Sequence, residues 1–187
     1  MNVNVKVICT FKTLKTLSLV LLGVFFIGLM AFKKMPIPAT SLQMSLQSLS
    51  ISILVIMLGK KAFWVVLLYL ILATLGFPIL AEGVSNTRWY LLPSAGYYFG
   101  FLISSFLFAR ILIANKPKQF FKAWLIFSCN ESLILLSGYF VLSLYLGPIK
   151  AWWIGVWPFL LGALLKITLA TCLYWMLKIW RRGGGSS

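Results

Sequence analysis

The sequence predicts an all-α integral membrane protein: one bundle of six transmembrane helices with both termini cytoplasmic. Three observations carry this. Apolar residues make up 61% of the chain and charged residues only 10%, far below the roughly 25% charge of an ordinary soluble domain. The apolar residues gather into six stretches near the ~20 residues that a bilayer-crossing helix needs. Lysines and arginines collect at the ends of those stretches. In a chain of 187 residues, six such spans with short loops leave no room for a soluble domain. Residues 1–182 are therefore read as a single transmembrane domain, and 183–187, Gly-Gly-Gly-Ser-Ser, as an expression scar or linker.

Residues 1–16 carry Lys6, Lys12 and Lys15, and 17–32 are apolar, which superficially matches a secretory signal. No small-x-small cleavage site follows and Lys33-Lys34 closes the run, so a retained first helix is expected. Gly23, Gly28 and Ala31 give it places where another helix can come close. Met35-Pro36-Ile37-Pro38 breaks it into an extended loop. The second span, Ser41 to Leu58, is polar for a membrane helix. Gln43 and Gln47 are four apart and share a face, with Ser45, Ser48, Ser50 and Ser52 nearby. Such a face must meet protein, water or ligand, and interhelical hydrogen bonding is the ordinary use of the serines.

Gly59-Lys60-Lys61 is a basic turn, and the third span runs from Ala62 to Leu80, terminating through Gly76-Phe77-Pro78. Ala81 to Leu92 is the longest polar connection; it holds Glu82, Asn86 and Arg88 and is the candidate lid. The fourth span, about 95–113, opens with a G-x-x-x-G at Gly96 and Gly100, a helix-packing signal. Lys116, Lys118 and Lys122 surround a turn at Pro117. The fifth span then runs from about Ala123 to Leu146 and contains Asn130-Glu131, and the sixth from about Trp152 to Ile179, closed by Lys178, Arg181 and Arg182.

Orientation follows from the cations. The N-terminus, the turns after spans two and four, and the C-terminus hold Lys6, Lys12, Lys15, Lys60, Lys61, Arg110, Lys116, Lys118, Lys122, Lys178, Arg181 and Arg182, against Lys33, Lys34, Arg88 and Lys150 in the other loops. The first set is the cytoplasmic side. This distribution also explains the net charge of +15 without nucleic acid, since the cations mark span ends and form no single run. With no histidine and only Glu82 and Glu131 acidic, the chain cannot build the usual metal sites or histidine-based acid–base centres, which weighs against an enzyme. Cys9, Cys129 and Cys172 are odd in number and give neither a disulfide framework nor a metal spacing.

The residue that stands out is Lys166. It is the only charge between Trp152 and Leu177 and lies eight residues past Pro158, roughly 12 Å into the membrane at ~1.5 Å per residue. A charge at that depth faces a cavity, a partner or a ligand; the alternative is a stem that snorkels back to the headgroups. Loops one, three and five share the side at which this helix begins, so Lys166 projects into the bundle beneath them and the arrangement describes a pocket open to the outside.

Several stretches together resemble the BioY family, the biotin-binding S components of energy-coupling-factor transporters. Ser45-Leu46-Gln47-Ser48-Leu49, with Gly59 twelve residues after Gln47, is similar to the family's TLQTL and its glycine turn. Leu68 to Pro78 (LYLILATLGFP) is similar to LLYLLLGALGLP, Pro93-Ser94-Ala95-Gly96-Tyr97 to PTGGY, and Gly155 to Lys166 (GVWPFLLGALLK) to GVLPFLPGDLLK. The resemblance implies a six-helix subunit of the bacterial cell membrane that takes biotin from outside, has no cofactor, and hands its ligand to a transmembrane coupling subunit driven by two ATPase subunits. It implies ligand-binding roles for Lys166, Gln47, Tyr97 and the Ala163 position, with Asn86 and Arg88 on the outward loop. A guanidinium at Arg88 suits the ligand's carboxylate; the alternative is contact with lipid headgroups. The chain departs from the family at Ala163, where the family has an aspartate expected to contact the ligand's ureido ring together with the lysine. Glu131, on the preceding antiparallel span, is the candidate replacement, although helix lengths leave about 10 Å of axial mismatch with Lys166. The same departure is also compatible with a different small vitamin-like ligand, and a channel-like or structural membrane protein is the reading from another class.

Overall fold

The computed structural model describes residues 2–36 and 43–183, with side chains placed for 14–33, 45–81 and 83–181. Residues 37–42 of the proline loop, 184–187 of the expected scar, and the side chains of Gln43 and Glu82 lie outside what is described. The described residues form seven α-helices: α1 (Asn2–Phe32), α2 (Gln47–Leu58), α3 (Ala62–Thr74), α4 (Ala95–Asn115), α5 (Phe120–Leu146), α6 (Pro148–Gly155) and α7 (Phe159–Gly183). A short antiparallel ribbon of β1 (Lys34–Pro36) and β2 (Gln43–Ser45) joins α1 to α2.

Among the described residues, five helical stretches are long and apolar enough to cross a membrane, and the second of them, Gln47–Thr74, runs through both α2 and α3. It is no single rod. As a continuous helix it would hold Gln47 and Tyr69 about 33 Å apart, yet Gln47 Nε2 donates to Tyr69 Oη at 2.7 Å. The chain reverses at Gly59, whose φ of +56° belongs to the region that glycine enters without a steric cost. This stretch is therefore a helical hairpin, and the bundle has six crossings among the described residues. Thr16, Lys61, Pro117 and Lys178 gather at one end: Lys61 Nζ donates to Thr16 Oγ1 at 3.1 Å, and Lys178 Nζ donates to the Pro117 carbonyl. The described parts of α1 and α7 thus share an end, opposite the cavity described below.

Boundaries differ from expectation in three places. The second span begins at Gln47, not Ser41, because Gln43–Ser45 is drawn into the ribbon. The third ends at Thr74, not Leu80; Gly76, at φ +93°, turns the chain out of the helix. The sixth apolar segment is two helices, not one. Pro158 lacks an N–H and crowds the residue before it, so α6 stops at Gly155 and α7 starts afresh at Phe159. At 12 and 13 residues, α2 and α3 reach only about 18–20 Å, short of a ~30 Å hydrocarbon core. The remaining depth holds the ribbon and the irregular 75–94 segment. Non-helical backbone is tolerated at such depth where protein or a cavity surrounds it.

The core packs Ile27, Ile51, Val65, Val66, Phe127 and Ile134 between the helices, while Leu22, Phe25, Trp64, Phe140, Leu144 and Ile149 stay exposed, as lipid-facing residues do. Gly23, Gly28 and Ala31 are buried inside the chain. A Cβ on Gly23 would lie 2.7 Å from Val65 Cγ1, so the helix that approaches α1 there is α3 of the same chain and this face is closed to a partner. Gly96 and Gly100 bring α4 onto α5: a Cβ on Gly96 would sit 2.2 Å from the Ser137 carbonyl oxygen, and one on Gly100 3.1 Å from the Ile134 Cα. Backbone cannot yield as a side-chain tip can. Gly96→Val is expected to lower detergent-phase thermal stability by about 1–3 kcal/mol or more through overpacking, with Gly100→Ala milder; equal melting of Gly96→Val and wild type would contradict this packing.

Candidate functional site

The cavity at the ribbon end of the bundle has a volume of about 190 Å³, below the several hundred Å³ of drug-sized sites, and suits a compact ligand. Its wall draws on α1 (Ala31), the start of α2 (Gln47, Ser48), α4 (Tyr97, Phe101), α5 (Glu131, Ile134) and α7 (Phe159, Lys166).

Its floor is charged. Lys166 Nζ donates to Ser48 Oγ at 2.8 Å and lies 3.4 Å from Glu131 Oε1, and Ser48 Oγ donates to that same oxygen at 2.9 Å. Lys166 and Glu131 are 7% and 4% exposed, which settles the snorkelling alternative: the ammonium stays inside, paired. A buried ion pair holds only where further hydrogen bonds satisfy it, and Ser48 supplies two of them.

The axial mismatch between Glu131 and Lys166 disappears in the structure because α5 overshoots α7. The α6 helix lies beside the final turns of α5, with Trp152 against Tyr139 and Gly155 against Leu142. The α7 helix begins lower, where Phe159 and Gly138 both meet the Tyr97 ring. Gly138 is eight residues, about 12 Å, below the end of α5, which is the missing distance. Gly138 also lets Tyr97 lie across α5, since a Cβ there would fall 2.2 Å from a ring carbon. Tyr97 Oη reaches the Gly155 carbonyl at 2.6 Å, tying α4 to α6 over the cavity.

On the opposite wall, Ser45 Oγ donates to Gln47 Oε1 at 3.1 Å, Gln47 Nε2 to Tyr69 Oη, and Tyr69 Oη to the Ile79 carbonyl at 2.9 Å. This chain of bonds ties the first turn of α2 to α3 and to the segment after it. One turn below the floor, Ser104 Oγ donates to Asn130 Oδ1 at 2.6 Å and Asn130 Nδ2 to Ser52 Oγ at 3.1 Å. That second layer joins α2, α4 and α5 and fixes the part of α5 from which Glu131 projects.

Of the residues singled out in the sequence, Lys166, Glu131, Gln47 and Tyr97 meet at the cavity. Ala163 is buried in the apolar core one turn before Lys166. Asn86 accepts the Arg88 backbone N–H at 2.8 Å, and the Arg88 side chain is exposed; neither is among the lining residues. Ser48 is the cavity residue whose individual place the sequence left hidden among four serines. Its signal is position: it follows Gln47 in the first turn of α2, at the depth to which Lys166 reaches.

A model of the BioY family matches residues 1–183. The biotin transporter BioY of Thermotoga maritima is 29% identical over 165 residues, covering 86% of this chain and 95% of the relative. A biotin transporter of Lactococcus lactis subsp. cremoris is 27% identical over 161 residues, covering 84% and 87%. Among solved structures, the crystal structure of the S-component for biotin from an ECF-type ABC transporter superposes with a TM-score of 0.75 at 25% identity, covering 95% of this chain and 94% of that one. The chain is a multi-pass membrane protein of the BioY family.

Proposed function

We propose that this chain is the biotin-binding S component of an energy-coupling-factor transporter, resident in the bacterial inner membrane with both termini cytoplasmic and the cavity opening outward. One observation carries the ligand reading: a buried ammonium and a buried carboxylate, 3.4 Å apart, face a cavity of about 190 Å³ in a chain whose relatives are named for biotin. The positive-inside distribution supports the orientation. The sequence has no G-x-x-x-x-G-K-[ST] phosphate loop, so import is driven by a separate coupling subunit and its two ATPase subunits. Titration calorimetry on detergent-purified protein tests the reading: heat and saturation at micromolar biotin or below are expected, and folded protein that gives no heat contradicts it.

Arg88 gives a second expectation. From its exposed position on the outward 75–94 segment, its guanidinium pairs with the carboxylate at the tail of the ligand. Arg88→Ala is expected to weaken biotin by about 10-fold, the scale of one charged hydrogen bond, and to leave biotin amides nearly unchanged. Equal losses for acid and amide reject the pairing.

A further inference from the structure

We propose that the groove at the start of α5 binds an anionic phospholipid with an uncharged polyol head, of the phosphatidylglycerol type. It lies at the Pro117 end of the bundle, opposite the Lys166 cavity, and has a volume of about 500 Å³. Local sequence builds it. Lys116 ends α4 in the left-handed region at φ +37°, and Pro117, without an N–H, cannot extend the helix, so the chain turns back at once and α5 starts at Phe120. Lys118 and Lys122 thereby stand at the rim, with Asn115 and Gln119 beside them. Leu125 and Ile126, three and four residues after Lys122, share its face of α5 about 5 Å deeper and complete the wall. Phe121 and Trp124, stacked with ring centroids 6.4 Å apart, and Trp175 against Phe120 mark this level as the headgroup zone, where aromatic belts sit.

The cations here have no counter-charge within the chain. Of its two acidic side chains, Glu131 lies nine residues, about 13 Å, beyond Lys122 along α5 and is paired with Lys166. The other, Glu82, follows Ala81, which lines the cavity at the opposite end. Lys178 is engaged with the Pro117 carbonyl and the Trp175 ring. Lys118 and Lys122, by contrast, are exposed and make no hydrogen bond or ion pair among the described residues. A phosphodiester fits that gap: lysine binds phosphate as a point charge, and basic pockets between membrane helices on the cytoplasmic side take anionic headgroups. The rest of the wall selects the head and the tail. The ammonium of a zwitterionic head would be repelled by two lysines and would find no carboxylate to pair with. A glycerol head offers hydroxyls to the Gln119 amide and to the Asn115 groups left after its bond to the Ile111 carbonyl. Leu125, 43% exposed, gives an acyl chain a place below the phosphate, which a soluble phosphate would leave open.

Native mass spectrometry of the full chain in a neutral detergent, titrated with phosphatidylglycerol or with phosphatidylcholine of the same acyl chains, tests this. Wild type is expected to retain one phosphatidylglycerol about 10-fold or more tighter than phosphatidylcholine. Lys118→Gln combined with Lys122→Gln should lower the phosphatidylglycerol affinity about 10-fold to 30-fold, the scale of two lysines near an anionic head, and leave phosphatidylcholine unchanged. Should that pair fail to fold, either substitution alone is expected to cost about 3-fold to 5-fold. Lys60→Gln combined with Lys61→Gln removes the same charge from the other basic turn at this end and should change neither lipid. A wild type without preference, or equal losses from the two double variants, overturns the site and leaves only a diffuse field. Displacement of the lipid by glycerol 3-phosphate overturns it in favour of a soluble anion. The lipid readout needs no biotin, so its outcome stands apart from that of the biotin reading.

Discussion

Glu131→Gln is expected to destabilise the protein by about 3–5 kcal/mol, the cost of leaving one member of a buried ion pair uncompensated. Lys166 is 7% exposed and cannot reach bulk water without leaving its place on α7, and Ser48 alone does not neutralise it. Lys166→Met should cost less, since Ser48 still donates to the stranded carboxylate. The double variant Glu131→Gln, Lys166→Met removes both charges and should recover most of the loss. Thermal unfolding in a single detergent, read as a double-mutant cycle, measures this. A double variant as unstable as the sum of the singles would mean that the two groups do not compensate each other.

The second large effect is on binding. Lys166→Met keeps the apolar stem and removes the ammonium, so biotin affinity should fall about 10-fold to 150-fold, the equivalent of about 1.5–3 kcal/mol for a buried hydrogen bond to a charged group. Wild-type affinity in this variant would return Lys166 to a purely structural role. Ala163→Asp separates two explanations of the missing aspartate. With Glu131 already the acceptor, and with position 163 in the apolar core and outside the cavity lining, the new carboxylate should add little to wild type and should not rescue binding in Glu131→Gln. A sharp gain in biotin affinity with Glu131 intact would instead mark Ala163 as the sign of a different natural ligand.

The helical membrane bundle, the packing at Gly96 and the burial of Lys166 were legible because each rests on a strong local constraint: span length, a missing Cβ, a charge at depth. Partners were harder to read. Ser48 was one serine among several, since the sequence does not state the rotation of α2 about its own axis. Gly23 announced a close approach without saying which helix approaches, and the structure supplies α3. Setting the end of α5 level with Pro158 puts Glu131 15 residues deep and Lys166 eight, which is the mismatch of about 10 Å. In the structure α6 lies beside the last turns of α5, so α7 begins lower and the two charges come level. The hairpin at Gly59 was correctly expected from the glycine and its lysines, whereas the bond from Gln47 to Tyr69 that pins it closed depends on tertiary packing.

A ligand in the cavity above the Lys166–Glu131 pair should shield that cavity from solvent, and protection of a single cysteine measures this most directly. Leu135 lines the cavity outside the hydrogen-bonded floor. Leu135→Cys, with Cys9, Cys129 and Cys172 changed to serine, places one thiol there for a small methanethiosulfonate reagent. With biotin at about 100 times its Kd, about 1% of sites stay open, so modification should slow by about two orders of magnitude. Equal rates with and without biotin, in protein that calorimetry shows to bind it, would put the ligand elsewhere.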